Sequence, residues 1–276
     1  MKLGVCNEMF EGWPIGKVFG FAAELGYDGV EIAPFTLAER ASDVSVAQRT
    51  DIARQARNAG VEIVGLHWLL VSPKDLYINH PDDAIRLKTR DYLLELIDLC
   101  GDLGGKTMVL GSPKQRSIVE GQTYDATWTR TVDAFRSCLD RAARRSVTLC
   151  LEQLTPKETN FITTVAEAAK MVDEINHPNF RLILDVKAML SLDWPVPDTI
   201  RLYGSKAAHV HANEADGNGP GTGPTDFAPI FQALDDVAFR GCVSVEVFDF
   251  KPGPEKIARD SLAYLKKSRQ RSERKP

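Results

Sequence analysis

The hydrophobic positions of the chain alternate between two spacings. Short runs of β-branched and apolar residues recur, and each is followed by a longer segment with apolar residues three or four positions apart. Between Asp125 and Arg144, this spacing places the apolar side chains on one face of a helix. The short runs predict eight strands, at Lys2–Cys6, Gly29–Ala33, Glu62–His67, Thr107–Gly111, Val147–Leu154, Arg181–Val186, Ala207–His211 and Val243–Phe248. Such alternation is typical of βα units around a parallel sheet.

The eight units follow one another without a linker or a shift in composition. They predict an α/β fold, a closed (β/α)₈ TIM barrel, as a single domain over residues 1–265. We interpret residues 266–276, which are basic and polar, as a frayed C-terminal tail. Gly26 and Gly241 precede the second and eighth strands, where glycine permits a left-handed helix end. An open doubly wound sheet is the disfavoured alternative, because no Gly-x-Gly-x-x-Gly follows the first strand.

Charge and composition exclude several classes of partner. The 276 residues include 34 Lys and Arg against 38 Asp and Glu, a net charge of −4, so we expect neither nucleic acid nor a membrane surface as a partner. The chain contains no apolar run long enough for a spanning helix and no signal peptide at its N-terminus. Its five cysteines form no Cys-x-x-Cys pair, which is typical of reduced thiols. We therefore expect a cytoplasmic protein.

Four predicted strands in succession carry an ionisable residue near their ends. These residues are Glu152, Asp185, His211 and Glu246. Strand ends meet at one face of a barrel, and buried carboxylates need partners, so a divalent cation is the simplest partner for the set. Three carboxylates and an imidazole suit Mn²⁺, Mg²⁺ or Co²⁺, and suit Zn²⁺ less well. In the alternative interpretation, the glutamates pair with Lys or Arg from loops and the aspartate caps the next helix.

Other polar and aromatic residues lie beside this set. His209 points to the same side of its strand as the histidine of the set but lies deeper, which predicts a hydrogen-bonded core residue. His67 ends the third strand beside Trp68, and contact with a substrate hydroxyl and a structural hydrogen bond are equal alternatives for it. Trp13, Trp68 and Phe248 form either an apolar wall or part of the core.

Four segments resemble a known family. They are Ala22–Ile32, Leu151–Asn160, His209–His211 with Pro220–Gly223, and Val245–Val247. They resemble the xylose isomerase-like barrel superfamily of sugar isomerases and epimerases, especially its ketose 3-epimerase branch. The resemblance implies that the four strand-end residues bind one divalent ion, preferably Mn²⁺, and that Glu152 and Glu246 are also the acid and base catalysts. Glu158 matches a family position that contacts substrate hydroxyls.

The resemblance also implies a reaction. It is epimerisation or isomerisation of a ketose or keto-sugar derivative, by proton transfer through a metal-bound enediolate. One carboxylate removes a proton, and the other returns it to the opposite face or to the neighbouring carbon. The partner is a small carbohydrate, and the resemblance implies homodimers or homotetramers. The Gly- and Pro-rich segment 216–224 is expected either to form a loop over the pocket or to be a surface turn.

Two positions depart from the family pattern. Ala188 stands where the epimerases commonly have histidine, and Gly217 where they commonly have arginine. Both usual groups contact the substrate, and Lys187 is a candidate to supply one of the lost charges. The departures argue against simple epimerisation of a free ketose. They favour a larger or modified substrate, such as a keto-glycoside or an acidic sugar derivative.

Three other functions remain as alternatives. The first is a metal-dependent lyase, dehydratase or hydratase of a keto-sugar or keto-glycoside, which uses the same site with a different outcome. A DNA-repair endonuclease of the same barrel type is less favoured. Such an enzyme would need many histidines to hold several metal ions and a basic groove to bind DNA, whereas this chain has five histidines and no basic groove. A sugar-binding barrel without turnover is disfavoured by the intact pair of acids.

Overall fold

The fold is a closed barrel of parallel strands, seen in a computed structural model that describes residues 1–273. The strands are β1 (Lys2–Cys6), β2 (Gly29–Ile32), β3 (Glu62–Leu66), β4 (Thr107–Leu110), β5 (Thr148–Glu152), β6 (Phe180–Asp185), β7 (Ala207–Ala212) and β8 (Cys242–Val245). Each strand pairs in parallel with the next, and β1 pairs with β8 to close the sheet. The predicted single-domain (β/α)₈ TIM barrel is confirmed.

Helices connect successive strands and surround the barrel. Those of the described residues are α1 (Ile15–Leu25), α2 (Val46–Ala59), α3 (Asp83–Leu103), α4 (Tyr124–Arg145), α5 (Val165–Ile175), α6 (Val186–Leu190), α7 (Val196–Tyr203), α8 (Phe227–Asp236) and α9 (Pro254–Glu273). None of them is both long and apolar enough to cross a membrane. The strands are buried on both faces, as expected when side chains fill the barrel and helices cover it.

Two helix ends use different residues for the left-handed turn. Gly26 ends α1 with φ 88° and ψ 37°, as predicted. The same prediction for Gly241 is wrong, because Ala238 adopts the positive φ, 53°, after α8. Gly241 is instead close to the neighbouring strand: a Cβ atom there would lie 2.2 Å from the carbonyl oxygen of Ala208.

The last helix extends beyond the predicted limit of the barrel. We expected a frayed tail from residue 266, but α9 continues to Glu273, and residues 274–276 lie outside the described part of the chain. Ser268 and Ser272 continue the buried face of α9, and Arg271 pairs with Asp226 at 3.0 Å. Composition alone was misleading here, because the buried face of this last turn is built from small polar residues.

Candidate metal centre and active-site pocket

Four predicted residues converge at the carboxyl ends of the strands. Glu152 ends β5, Asp185 ends β6, His211 is the penultimate residue of β7, and Glu246 directly follows β8. One ligand atom from each lies within 4.8 Å of the others, and all four side chains are buried. We call this set the carboxylate cluster. Its members come from consecutive strands, so the closed barrel itself brings them together.

The imidazole of His211 is oriented by acids on both sides. Its Nδ1 atom faces the cluster, 3.1 Å from Oε2 of Glu246 and 3.5 Å from Oε1 of Glu152. This Nδ1 atom is buried and makes no hydrogen bond. Its Nε2 atom lies 3.3 Å from Oε2 of Glu31, on the opposite side of the ring. A metal-ligating histidine is usually held in this way, with its second nitrogen bonded to a carboxylate.

The residues of the cluster fit a divalent cation. Three carboxylates and an imidazole form a donor set dominated by hard oxygen atoms. Within the described chain, the ion-pair partners of Glu152 and Glu246 are histidines, not Lys or Arg. Part of the alternative interpretation is nevertheless correct. Asp185 caps α6, because its Oδ1 accepts a hydrogen bond of 2.6 Å from the backbone of Ala188.

The cluster concentrates negative charge away from water. Burial, together with the nearby charges of Glu152 and Glu246, raises the pKa of Asp185 to about 7. Burial also raises the pKa of Glu152. For Glu246, burial acts in the same direction, but the neighbouring His211 and His67 outweigh it and lower the pKa. A bound cation would offset the repulsion among the three acids.

Two further residues make room for Glu152 and hold it. A Cβ atom at Gly111 would lie 2.2 Å from Oε2 of Glu152, so the absence of a side chain at residue 111 leaves space for this carboxylate. Arg116 is buried and donates hydrogen bonds to the backbone carbonyls of Leu110, Glu152 and Ile162. Sequence reasoning identified neither residue, since each acts through its position rather than through a recognisable motif.

Two acids behind the histidines were also missed. Glu31, in β2, is completely buried, and its Oε2 atom lies 2.7 Å from Nε2 of His209 as well as near His211. His209 is therefore the hydrogen-bonded core histidine that its depth predicts. Glu8 lies 3.0 Å from Nε2 of His67. An acid inside an apolar strand was the signal that identified the cluster, and Glu31 carries the same signal.

Three members of the cluster, Glu152, Asp185 and Glu246, line a pocket of about 130 Å³. The four residues predicted to bind substrate, His67, Trp68, Glu158 and Lys187, all line it, as does Phe248. Lys187 donates a hydrogen bond of 2.5 Å to Oε1 of Glu158. His67 is completely buried between Glu8 and Glu246, and its Nδ1 atom lies 3.5 Å from the latter.

The two positions that depart from the family pattern, Ala188 and Gly217, carry a methyl group and no side chain, respectively. Ala188 is buried in α6. Gly217 has φ 81° and lies against the ring of Phe248, which a Cβ atom there would approach to 2.9 Å. The segment 216–224 packs on α9, where Gly221 abuts the ring of Tyr264. Its residues do not line the pocket in the described part of the chain, which agrees with the surface turn and not with the loop over the pocket.

Comparison with known proteins identifies the family. A sequence model of the family described as xylose isomerase-like TIM barrel matches residues 19–268. The chain belongs to this family. The match covers most of the barrel, from α1 to α9, and it confirms the family that the sequence resembles.

Relatives within the xylose isomerase-like family are sugar epimerases. The chain is 27% identical over 232 residues to L-ribulose 3-epimerase of Methylomonas sp. (strain DH-1), covering 84% of this chain and 78% of the relative. It is 23% identical over 272 residues to 3-dehydro-D-guloside 4-epimerase of Escherichia coli (strain K12), covering 96% and 99%. These relatives are of the isomerase class, the enzyme class that the sequence predicts.

A solved structure supports the same fold. The structure of D-psicose 3-epimerase with D-tagatose from Clostridium cellulolyticum H10 superposes with a TM-score of 0.86 at 23% identity, covering 99% of both chains. The likeness extends over the whole barrel. The chain is therefore a xylose isomerase-like barrel without a large insertion relative to that enzyme.

Proposed function

We propose that this xylose isomerase-like protein is a divalent-metal-dependent sugar epimerase, acting on a ketose or keto-sugar derivative. The observation that carries the proposal is the convergence of Glu152, Asp185, His211 and Glu246 in one buried cluster. The family and its epimerase relatives supply the reaction class. The pocket above the cluster supplies a site for a small polar molecule.

The four residues of the carboxylate cluster would hold the metal. We propose Mn²⁺, with Mg²⁺ and Co²⁺ as alternatives, because the donors are mostly carboxylate oxygens. When bound, such a cation polarises the carbonyl and the neighbouring hydroxyl of a keto-sugar, which acidifies the proton on the adjacent carbon. Glu31 orients the His211 ligand from behind.

The protein's own groups then move the proton. We assign Glu152 and Glu246 as the two catalytic residues, since they extend from β5 and from the end of β8 into one pocket. One carboxylate accepts the carbon-bound proton, and the other donates a proton to the opposite face, which inverts that centre. Glu158 and Lys187 offer an acceptor and a donor for substrate hydroxyls. Trp68 and Phe248 form an apolar wall on one side of the pocket.

The proposal is tested by product analysis. The protein is stripped of metal with a chelator, reloaded with Mn²⁺, and incubated with free ketoses and with keto-glycosides. We expect an epimer of unchanged mass, detected by proton NMR, with the reloaded protein and not with the stripped one. A product lighter by water or by a lost substituent would overturn the proposal in favour of a lyase or dehydratase. Metal and sugar binding without any product would overturn it in favour of a binding protein.

A further inference from the structure

A second cavity adjoins the pocket on the same face of the barrel. It has a volume of about 700 Å³ and lies beyond the carboxyl ends of β1, β2 and β3. We call it the aromatic annex, defined by Phe10, Trp13, Phe35, Trp68, Val71 and Phe250. It is much larger than the pocket of about 130 Å³ above the cluster. The proposed reaction at the cluster uses none of its volume.

The annex and the pocket adjoin at Trp68. Trp68 lines both cavities, and its ring lies 6.1 Å from the ring of Phe248 on the pocket side. Glu8 lines the annex and lies 3.0 Å from His67, which lines the pocket. A molecule over the cluster that extends past Trp68 would therefore reach the annex on the same face of the barrel.

The annex exposes apolar surface. Phe35 and Val71 are 40% and 39% exposed, and Phe248 beside Trp68 is 41% exposed. Together they form an apolar wall from the pocket to the outer edge of the annex. Solvent-exposed aromatic groups gathered beside a polar pocket are typical of a ligand-binding surface.

The charge of the annex restricts what it accepts. Glu8 and Glu11 are its ionisable lining residues within the described chain, and both are acidic. The nearby ammonium group of Lys17 stacks on the ring of Trp13, 3.3 Å from the ring centroid. Acidic groups disfavour a phosphate or a carboxylate in this cavity. The surface instead suits an uncharged apolar ring.

We propose that the substrate is a keto-glycoside whose apolar, preferably aromatic, aglycone occupies the annex while its keto-sugar ring lies over the carboxylate cluster. This inference rests on the proposed function, because it places the reacting ring at the same site. A free ketose would leave the annex without a ligand. Gly217, next to Phe248, keeps the boundary between the sugar and the aglycone free of a charged side chain.

Binding of unreactive glucosides tests the annex separately from turnover. We would titrate Mn²⁺-loaded protein with 4-nitrophenyl β-D-glucoside and with methyl β-D-glucoside by calorimetry. We expect the aryl glucoside to bind about tenfold more tightly, since burial of its ring adds apolar contact. Phe35→Ser should remove most of this difference. Leu87→Ser, which changes an exposed apolar residue of α3 outside the annex, should leave it unchanged.

The outcomes separate the two proposals. Equal affinity for both glucosides, or a preference that survives Phe35→Ser with an unchanged melting temperature, would overturn the annex proposal. Tight aryl binding without any epimerisation of keto-glycosides would support the annex and overturn the proposed function. If sedimentation shows a dimer that Phe35→Ser dissociates, the annex is a contact between copies and the inference is wrong.

Discussion

The Glu31 carboxylate lies behind His211, with its Oε2 atom 3.3 Å from Nε2 of the imidazole. The opposite nitrogen, Nδ1, faces the carboxylate cluster. A buried acid in this position fixes the ring and makes its free nitrogen a stronger ligand. The same acid bonds His209, so one side chain of β2 organises both histidines of β7.

This relationship predicts that Glu31 controls metal affinity without touching the metal. Glu31→Gln should weaken Mn²⁺ binding about 10- to 100-fold, because the neutral amide no longer orients and polarises His211. Calorimetric titration of the metal-free protein with Mn²⁺ measures this. The exposed Glu24→Gln of α1 is the control and should bind Mn²⁺ as the wild type does. An unchanged affinity in Glu31→Gln would contradict the role assigned to Glu31.

Gly111 is predicted to be required for the position of Glu152. Gly111→Ala should weaken Mn²⁺ binding at least about tenfold, because the added Cβ atom would lie 2.2 Å from Oε2 of Glu152 and force that carboxylate away. Gly20→Ala in α1 is the matched control, since a Cβ atom there meets nothing within 4 Å. The control should retain wild-type metal affinity. If both variants bind Mn²⁺ equally well, the packing argument fails.

Arg116 is predicted to be a main determinant of stability at the site. Arg116→Met should lower the free energy of unfolding by about 2–4 kcal/mol, because it removes the donors that satisfy three buried carbonyl groups. Urea denaturation measures the difference. The exposed Arg57→Met of α2 should cost less than about 0.5 kcal/mol. Similar stabilities for the two variants would show that Arg116 is dispensable.

The Lys187–Glu158 pair predicts a pH-dependent contribution to stability. Burial acts to raise the pKa of Glu158, but the hydrogen bonds from Lys187 and Thr155 and the charge of Lys187 together outweigh this and lower the pKa below the ordinary value of 4.5. A lowered folded-state pKa stabilises the protein above pH 4.5, and the contribution is lost as pH falls through the lowered value. Lys187→Met should therefore be about 1 kcal/mol less stable than wild type at pH 7, and the difference should shrink below pH 4.5.

Chemical denaturation at several pH values tests this expectation. Lys256→Met, which breaks an exposed pair with Asp260, is the control and should show little effect at any pH. A difference between Lys187→Met and wild type that does not depend on pH would indicate lost packing on Phe248, over whose ring the Lys187 ammonium lies at 4.7 Å.

The sequence was most informative where local pattern and topology agree. Short apolar runs between segments of helical spacing located every strand of the barrel, because each strand must be buried between the barrel interior and a helix. Closure of the barrel then brings the ends of β5 to β8 together, which is why the sequence alone predicts that Glu152, Asp185, His211 and Glu246 converge.

Residues that act through position were not predictable in this way. Glu8 follows β1 and Glu31 lies in β2, whereas the histidines that they contact are far away along the chain. These contacts depend on closure of the barrel. Gly111 is important because a side chain there would meet Glu152, and Arg116 because it donates hydrogen bonds to backbone carbonyl groups. The sequence reveals neither contact. The sequence did not predict the last turns of α9, because a buried helix face built from serines has the same polar composition as an exposed tail.

The proposed function requires Glu246 to exchange a proton with a carbon atom of the keto-sugar substrate. The most direct test is deuterium incorporation in D₂O by the Mn²⁺-loaded protein, followed by proton NMR and mass spectrometry. Glu246→Gln is compared with the exposed Glu255→Gln of α9, with metal content measured for both. We predict deuterium at a single carbon with the wild type and Glu255→Gln, and a loss of at least about 100-fold in Glu246→Gln. Exchange at the wild-type rate in Glu246→Gln, or equal exchange by the metal-free protein, would contradict the claim.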